Sequence, residues 1–252
     1  MPNSVGLFIF ATLLTKTHKI MKKFFLLFTL MLVLLSCGDD EKDEPTPVSK
    51  DISLSKTEVT LEALSGKEDI QITNASGTIT ATSGDNHIAT CEVKGNTLHI
   101  EAFLVGTTEV IVNNNNKTAS CKVQVNETLP YLGHPVLSFG ASMESVKGSI
   151  KGTVSSTEDG KFTEVEHITA SDGISVAVNT NYQFVQDKLS IVTQTLVSST
   201  LKTAGVLLAL SEHYLPIKQT PPYYYTYGLN GIQASLQAFE SSHQFLITYT
   251  KN

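Results

Sequence analysis

Between residues 50 and 127 the chain is written in short runs whose apolar residues fall at every second position. The runs are DISLSKTEVTLEA, EDIQITN, TITATS, IATCEVK, NTLHIEAF, TEVIVNN and KTASCKVQV. Between them lie Ser65-Gly66, Ser76-Gly77, Ser83 to Asn86, Gly95-Asn96 and Asn113 to Asn116. Side chains alternate across a strand, so such runs bounded by turn residues predict half-buried strands, about seven of them, packed as a β-sandwich. The alternation gives Leu98, Ile100 and Ala102 one face, Val110 and Val112 another, and Cys121, Val123 and Val125 a third. Asn113 to Asn116 reads as a hairpin tip, where asparagine tolerates positive φ.

Residues 130–252 carry a mixed pattern. Pro130 and Pro135 in LPYLGHP mark the boundary, and VLSFGASMESVKGSIKG holds a helix start. Ser142 is placed as N-cap, with Glu144 in the first turn, Val146 facing inward and Gly148 ending the helix early. Strand runs follow in KFTEVEHITA, GISVAVN, YQFVQ and KLSIVTQTLV, with a turn at Gln186-Asp187-Lys188. A second helix is predicted over STLKTAGVLLALSEHYL, capped by Ser199 or Thr200. Its stripe is Leu201, Ala204, Leu208 and Leu215, widened by Val206 and Leu210, and Pro216 stops it. PPYYYTYGLNGIQASLQAF and HQFLITYT read as a closing strand pair. The fold class is therefore mainly β: a sandwich, then an α+β domain with a curved antiparallel sheet and about two helices on one face.

The start of the chain follows a third pattern. From Met21, MKKFFLLFTLMLVLLSC sets two lysines before an unbroken apolar run, Phe24 to Leu35, and then Ser36 and Cys37. That is the anatomy of an export signal, and about a dozen apolar residues fall short of the roughly 20 that span a bilayer. Leu34-Leu35-Ser36-Cys37 resembles the lipobox of bacterial lipoproteins. The resemblance implies cleavage before Cys37 and acylation of that residue, whose role is then membrane attachment; the alternative is an ordinary secretory signal with an incidental cysteine. Residues 1–20 add an upstream apolar stretch, which implies either a start at Met21 or an extended leader. Residues 37–49, acidic with Pro45 and Pro47, read as a flexible tether. Acid after the cysteine resembles the surface-export signal of Bacteroides-group lipoproteins, implying an outer-membrane, surface-facing position; the other reading is a spacer in the periplasm.

Composition narrows the partners. The chain of 252 residues has 18 basic residues, all lysine, against 24 acidic ones, a formal charge of −6. Without arginine there is no planar fork for guanine edges or bidentate phosphate contacts, and an acidic surface repels polyanions, so nucleic acid is not an expected partner. The order of runs from SLSKTEVTL to KTASCKVQV resembles bacterial immunoglobulin-like domains of group 2, which would place Gly106 at the turn before the penultimate strand. FGASMESVK, a strand meander and a late helix ending in His213-Tyr214 together resemble C-terminal domains of uncharacterised Bacteroides lipoproteins. They are more distantly similar to the helix-plus-sheet modules of outer-membrane assembly lipoproteins and β-lactamase inhibitor proteins. These resemblances imply binding through a sheet and name no catalytic residue.

Candidate chemistry is sparse. With Cys37 assigned to lipid, Cys91 and Cys121 remain as a pair, either bridged or present as two buried thiols. FGASM lacks the second glycine of a nucleophile elbow, and the N-cap role accounts for Ser142. No spacing of His, Cys, Asp or Glu reads as a metal or cofactor site. In EVEHITASD, Glu164 and Glu166 share one strand face and His167 takes the other, read as a solvated sheet face near Asp172. PPYYYTYG puts Tyr223, Tyr225 and Tyr227 on one face and Tyr224 on the other. The three are candidates for a platform binding a glycan or a protein, or else large core residues in a chain without tryptophan. The expected function is a non-catalytic, lipid-anchored surface protein presenting a module for a protein or glycan. The alternatives are a periplasmic assembly accessory and, third, a glycan-active enzyme. The sequence leaves oligomeric state open.

Overall fold

The computed structural model describes residues 51–220 and 224–252. The leader, Cys37, the tether and Tyr223 lie outside the described residues.

The alternating runs of residues 51–126 form eight strands: β1 (Ser53–Leu54), β2 (Glu58–Glu62), β3 (Lys67–Thr73), β4 (Ile79–Ser83), β5 (Ala89–Lys94), β6 (Thr97–Ala102), β7 (Gly106–Asn114) and β8 (Lys117–Asn126). The first run is two strands. β1 pairs antiparallel with β3, the chain crosses over at Ser55 to Thr57, and β2 pairs parallel with β8. The sheets are ordered β1-β3-β6-β5 and β2-β8-β7-β4. The seven-strand immunoglobulin sandwich has the same arrangement, with the opening strand shared between the sheets. All the residues assigned inward by alternation are buried, and Ile70, Ile72, Leu98 and Ile100 of one sheet face Val110, Val112, Val123 and Val125 of the other. Asn115 and Asn116 have φ of 48° and 65° at the β7–β8 turn, as the run of asparagines predicts. Gly106 opens β7 at φ +152°, where a Cβ would stand 2.8 Å from Ile88 Cδ1.

The second half is one eight-stranded antiparallel sheet, ordered β13-β14-β15-β16-β12-β11-β10-β9. Its strands are β9 (Thr153–Glu158), β10 (Lys161–Thr169), β11 (Ser175–Val185), β12 (Lys188–Val197), β13 (Leu215–Thr220), β14 (Tyr224–Leu229), β15 (Ile232–Phe239) and β16 (Gln244–Lys251). Two helices accompany it, α1 (Met143–Lys147) and α2 (Thr203–His213). Ser142 caps α1, its hydroxyl accepting from Ser145 N–H at 3.3 Å, and Val146 is buried. GISVAVN and YQFVQ are one continuous strand, and β9 is an edge strand exposed along its whole length.

The expected second helix needs correction. It begins at Thr203 without a side-chain cap, because the Ser198 hydroxyl closes a turn on the N–H groups of Thr200 and Leu201 instead. Its buried face is Val206, Ala209, Leu210 and Glu212, whereas Leu208 stands 39% exposed. The helix ends at His213, and Pro216 lies inside β13, a sheet edge where a missing N–H is tolerated.

The stretch read from sequence as the boundary, and the residues just before it, are tied into the structure. Ser49–Asn252 forms one compact unit, and Glu212 joins its parts. The buried Glu212 carboxylate accepts from the N–H groups of Thr128 and Leu129 at 3.0 and 3.2 Å and from the Thr128 hydroxyl, while its backbone carbonyl accepts from Val105 N–H at 2.7 Å. His213 Nε2 stands 3.2 Å from Glu127, whose carboxyl that hydrogen bond holds below the usual range. LPYLGHP then crosses the inner sheet face as a strap, with Tyr131 and Leu132 buried.

Candidate functional site

Register decides which residues share a face, because partners across an antiparallel pair point the same way. Phe162, Tyr182, Val192 and Tyr249 are linked by register and buried, so their face is the core. Glu164 shares that parity and is 1% exposed. Its Oε1 accepts from the N–H groups of Lys151 and Gly152 at 3.1 and 2.6 Å, and its Oε2 accepts from the Tyr182 hydroxyl at 2.7 Å. The Tyr182 oxygen accepts in turn from Val136 N–H at 3.1 Å. Glu166 accepts from His134 N–H at 3.0 Å. Beside them, Gln194 donates to Leu132 O at 2.8 Å and accepts from the Tyr249 hydroxyl at 2.9 Å. Gly133, at φ +62°, passes so close over Glu166 that a Cβ would collide with its carboxylate. The expected solvated face of EVEHITASD is therefore corrected for both glutamates. They anchor the strap and the Lys151-Gly152 loop, the partners that unpaired backbone N–H groups need once buried. Asp172 sits in the turn after β10, accepting from the Tyr131 hydroxyl and from Ile174 N–H at 2.9 Å.

The tyrosine platform changes sides. Tyr225 and Tyr227 pair with Leu236 and Ala234 on the core face. Tyr227 is 1% exposed, its hydroxyl donates to Leu207 O of α2 at 3.3 Å, and burial pushes it up to about 12. Tyr225 packs partly buried against the same cluster. Of the two, Tyr227 is core and offers no ring face to a ligand. Tyr224, on the opposite parity, is 54% exposed.

Cys91 and Cys121 are free thiols, so the bridged alternative is corrected. Both point inward, but β5 lies at a sheet edge over β4, and β8 is two strands in from β4 in the facing sheet. A lateral offset of roughly 10 Å follows from strand spacing, beyond the about 7 Å that a disulfide allows. Burial raises both thiols.

The face of the eight-stranded sheet away from the helices is the candidate site. One row crosses all eight strands by register: Ser156, Thr163, Asn181, Thr193, Thr248, Ser235, Thr226 and Lys218. The neighbouring row is Val165, Asn179, Thr195, Leu246, Gln237 and Tyr224, and beyond it lie His167, Ala177, Val197, Gln244 and Phe239. From β10 to β14, no described residue in these rows is acidic. Charge sits at the margin, in Lys218 and in the Glu158–Lys161 pair at 2.9 Å. Asn181 donates to Thr163 at 3.2 Å. Among the described residues, the side chains of Asn179, Thr193, Thr195, Thr226, Gln237, Gln244 and Thr248 have no hydrogen-bond partner in the chain. Each is at least partly exposed, so its donors and acceptors face solvent.

Tyr224 and Phe239, 54% and 41% exposed, stand on adjacent strands in a diagonal relation, Tyr224 lying opposite Gln237. Such diagonals are about 7–8 Å apart, within reach of one ligand. At the far end of the third row a shallow cleft of about 470 Å³ is lined by His167, Thr169, Ala177, Val197 and Ser199. A second open depression of about 510 Å³ lies near Val185, Lys188 and Thr250. Neither is an enclosed pocket of the kind that swallows a small ligand. Among the described residues no group of three His, Cys, Asp or Glu side chains is placed to hold a metal, and no helix is long and apolar enough to cross a membrane.

No family model matches the chain, and no curated protein matches it. Solved structures that are similar include domains 4 and 5 of the S-layer protein SbsC, at 19% identity and a TM-score of 0.29, covering 30% of this chain and 51% of that one. Domains 5–6 of the same protein match at 13% identity and 0.28, covering 81% and 84%. The I67–I69 fragment of titin matches at 13% and 0.28, covering 81% and 89%. The chain thus spans about half of the first of these structures. At such scores the likenesses carry no conclusion about this chain's activity.

Proposed function

We propose that this chain is a non-catalytic, lipid-anchored lipoprotein of the bacterial cell surface that binds a neutral glycan on the outer face of its eight-stranded sheet. The observation that carries the reading is the uncharged hydroxyl and amide surface of that face, flanked by Tyr224 and Phe239, in which only the Asn181–Thr163 and Gln233–Ser235 pairs are hydrogen-bonded to each other among the described residues. Neutral sugars present hydroxyls that both donate and accept, which Asn, Gln, Thr and Ser match without a desolvated charge. Exposed rings supply the apolar platform for a sugar face. Protein interfaces draw on aromatic residues, Met and Arg and are depleted in Ser. This face has Ser and Thr in quantity and no arginine, so a glycan fits it better than a protein does.

A panel of soluble polysaccharides, run against the protein by affinity electrophoresis, tests the reading. Neutral polymers retard the chain and acidic ones do not. Tyr224→Ala and Phe239→Ala each weaken binding by about 1 kcal/mol, the scale of an exposed aromatic contact, whereas Tyr225→Phe leaves it unchanged. Retention by acidic polymers alone, or indifference to both alanine substitutions, contradicts the assignment. The surface position rests on the Leu34 to Cys37 lipobox and the acids that follow. Protease added to intact cells removes residues 130–252, and full protection puts the protein in the periplasm instead.

A further inference from the structure

We infer that the glycan is a linear, extended, β-linked chain lying across the strands, one sugar over each strand. The inference rests on the neutral-glycan reading and adds a linkage class and a direction. The row through Asn181, Thr193, Thr248, Ser235 and Thr226 places one hydroxyl or amide on each of five consecutive strands. Strands are about 4.8 Å apart, so these five groups repeat evenly over about 19 Å. That interval is close to the length each pyranose adds to an extended β-linked chain. The row through Asn179 and Thr195 runs parallel, displaced by two residues along each strand, or about 7 Å. The two rows stand far enough apart to reach the hydroxyls along both edges of a ribbon-shaped polymer. Sheet twist, roughly 20–25° per strand, turns about an axis that runs along the rows. A ribbon lying there follows the surface by a small uniform twist at each linkage. An α-linked chain coils, and its hydroxyls leave the register after two or three strands. The two depressions described above are shallow and open, which suits a polymer laid on a surface better than a sugar enclosed end-on.

The test is calorimetric titration of the full chain with glucose oligomers of one to seven units, β-1,4-linked in one series and α-1,4-linked in the other. Affinity for the β series is expected to climb with each unit to about five sugars and then level off, with the α series at least ten-fold weaker at equal length. Thr248→Val removes one central hydroxyl while keeping the side chain's shape. It is expected to weaken the β-linked pentamer by roughly three- to ten-fold, the worth of one hydrogen bond, and Thr248→Ser restores most of the loss. Ser120→Ala, exposed on β8 of the sandwich and outside the site, changes nothing. Affinity that does not grow with length, or equal affinity for the two series, overturns the across-strand site and leaves the neutral-glycan reading standing. If no neutral glycan in either series or in the polysaccharide panel binds, both are overturned.

Discussion

Glu164→Leu is expected to lower the unfolding free energy by about 3–5 kcal/mol, because three donors lose their acceptor at about 1–3 kcal/mol for each one left unsatisfied. Leucine fills a similar volume, so packing is nearly conserved and the cost is electrostatic. It strands the N–H groups of Lys151 and Gly152 and the Tyr182 hydroxyl, all of which the carboxylate accepts from. Tyr182 also accepts from Val136, so the strap loosens together with the loop. Glu164→Gln keeps one oxygen for the two backbone donors and loses the charge, which limits the cost to about 1–2 kcal/mol. The chain has no tryptophan, so urea unfolding is followed by circular dichroism or tyrosine fluorescence. A leucine variant within 0.5 kcal/mol of the parent would contradict the anchoring role.

Glu212→Ala is expected to cost about 3 kcal/mol and to free the junction between the sandwich and the second half. An acid in the last turn opposes the helix dipole, so its place there needs compensation. The compensation is the pair of backbone N–H groups at Thr128 and Leu129 together with the Thr128 hydroxyl, all captured by one buried carboxylate. Without it those part-buried donors are unpaired, and among the described residues the Val105 N–H to Glu212 O bond and the His213–Glu127 contact still cross the junction. Small-angle scattering reads the consequence as a broader distribution of interdomain distances in the alanine variant. Unchanged scattering with unchanged stability would show that the junction is held elsewhere.

The strands of the sandwich were legible because each has one wet and one dry face, which writes itself into a period of two. The split of DISLSKTEVTLEA into β1 and β2 was not, because the crossover depends on partners far along the chain. β9 left no signal: TVSSTE is exposed throughout and has no alternation to read. In VLLAL every helical face is apolar, so sequence could not orient α2, and Leu208 proved exposed where Ala209 is buried. Parity separated Tyr225 and Tyr227 from Tyr224 but could not say which side meets the core. Glu164 and Glu166 were misjudged for the same reason. Their parity is that of Phe162 and Ile168, and this apolar company outweighs the charge once backbone donors are there to pair with it. The outer face went unnoticed because its members come from separate strands and are individually ordinary. Only register assembles Asn181, Thr193, Thr248, Ser235 and Thr226 into a row.

The central claim is that this uncharged row is where a ligand lies. The most direct measurement is methyl and amide NMR of the full chain titrated with a neutral β-linked oligosaccharide. Shifts confined to the outer face, in Asn179, Asn181, Thr193, Thr195, Tyr224, Thr226, Ser235, Gln237, Phe239 and Thr248, with Val206, Leu210 and Tyr227 of the core unmoved, are the predicted result. Shifts centred on α2, the strap or the sandwich, or none at saturating sugar, would contradict it.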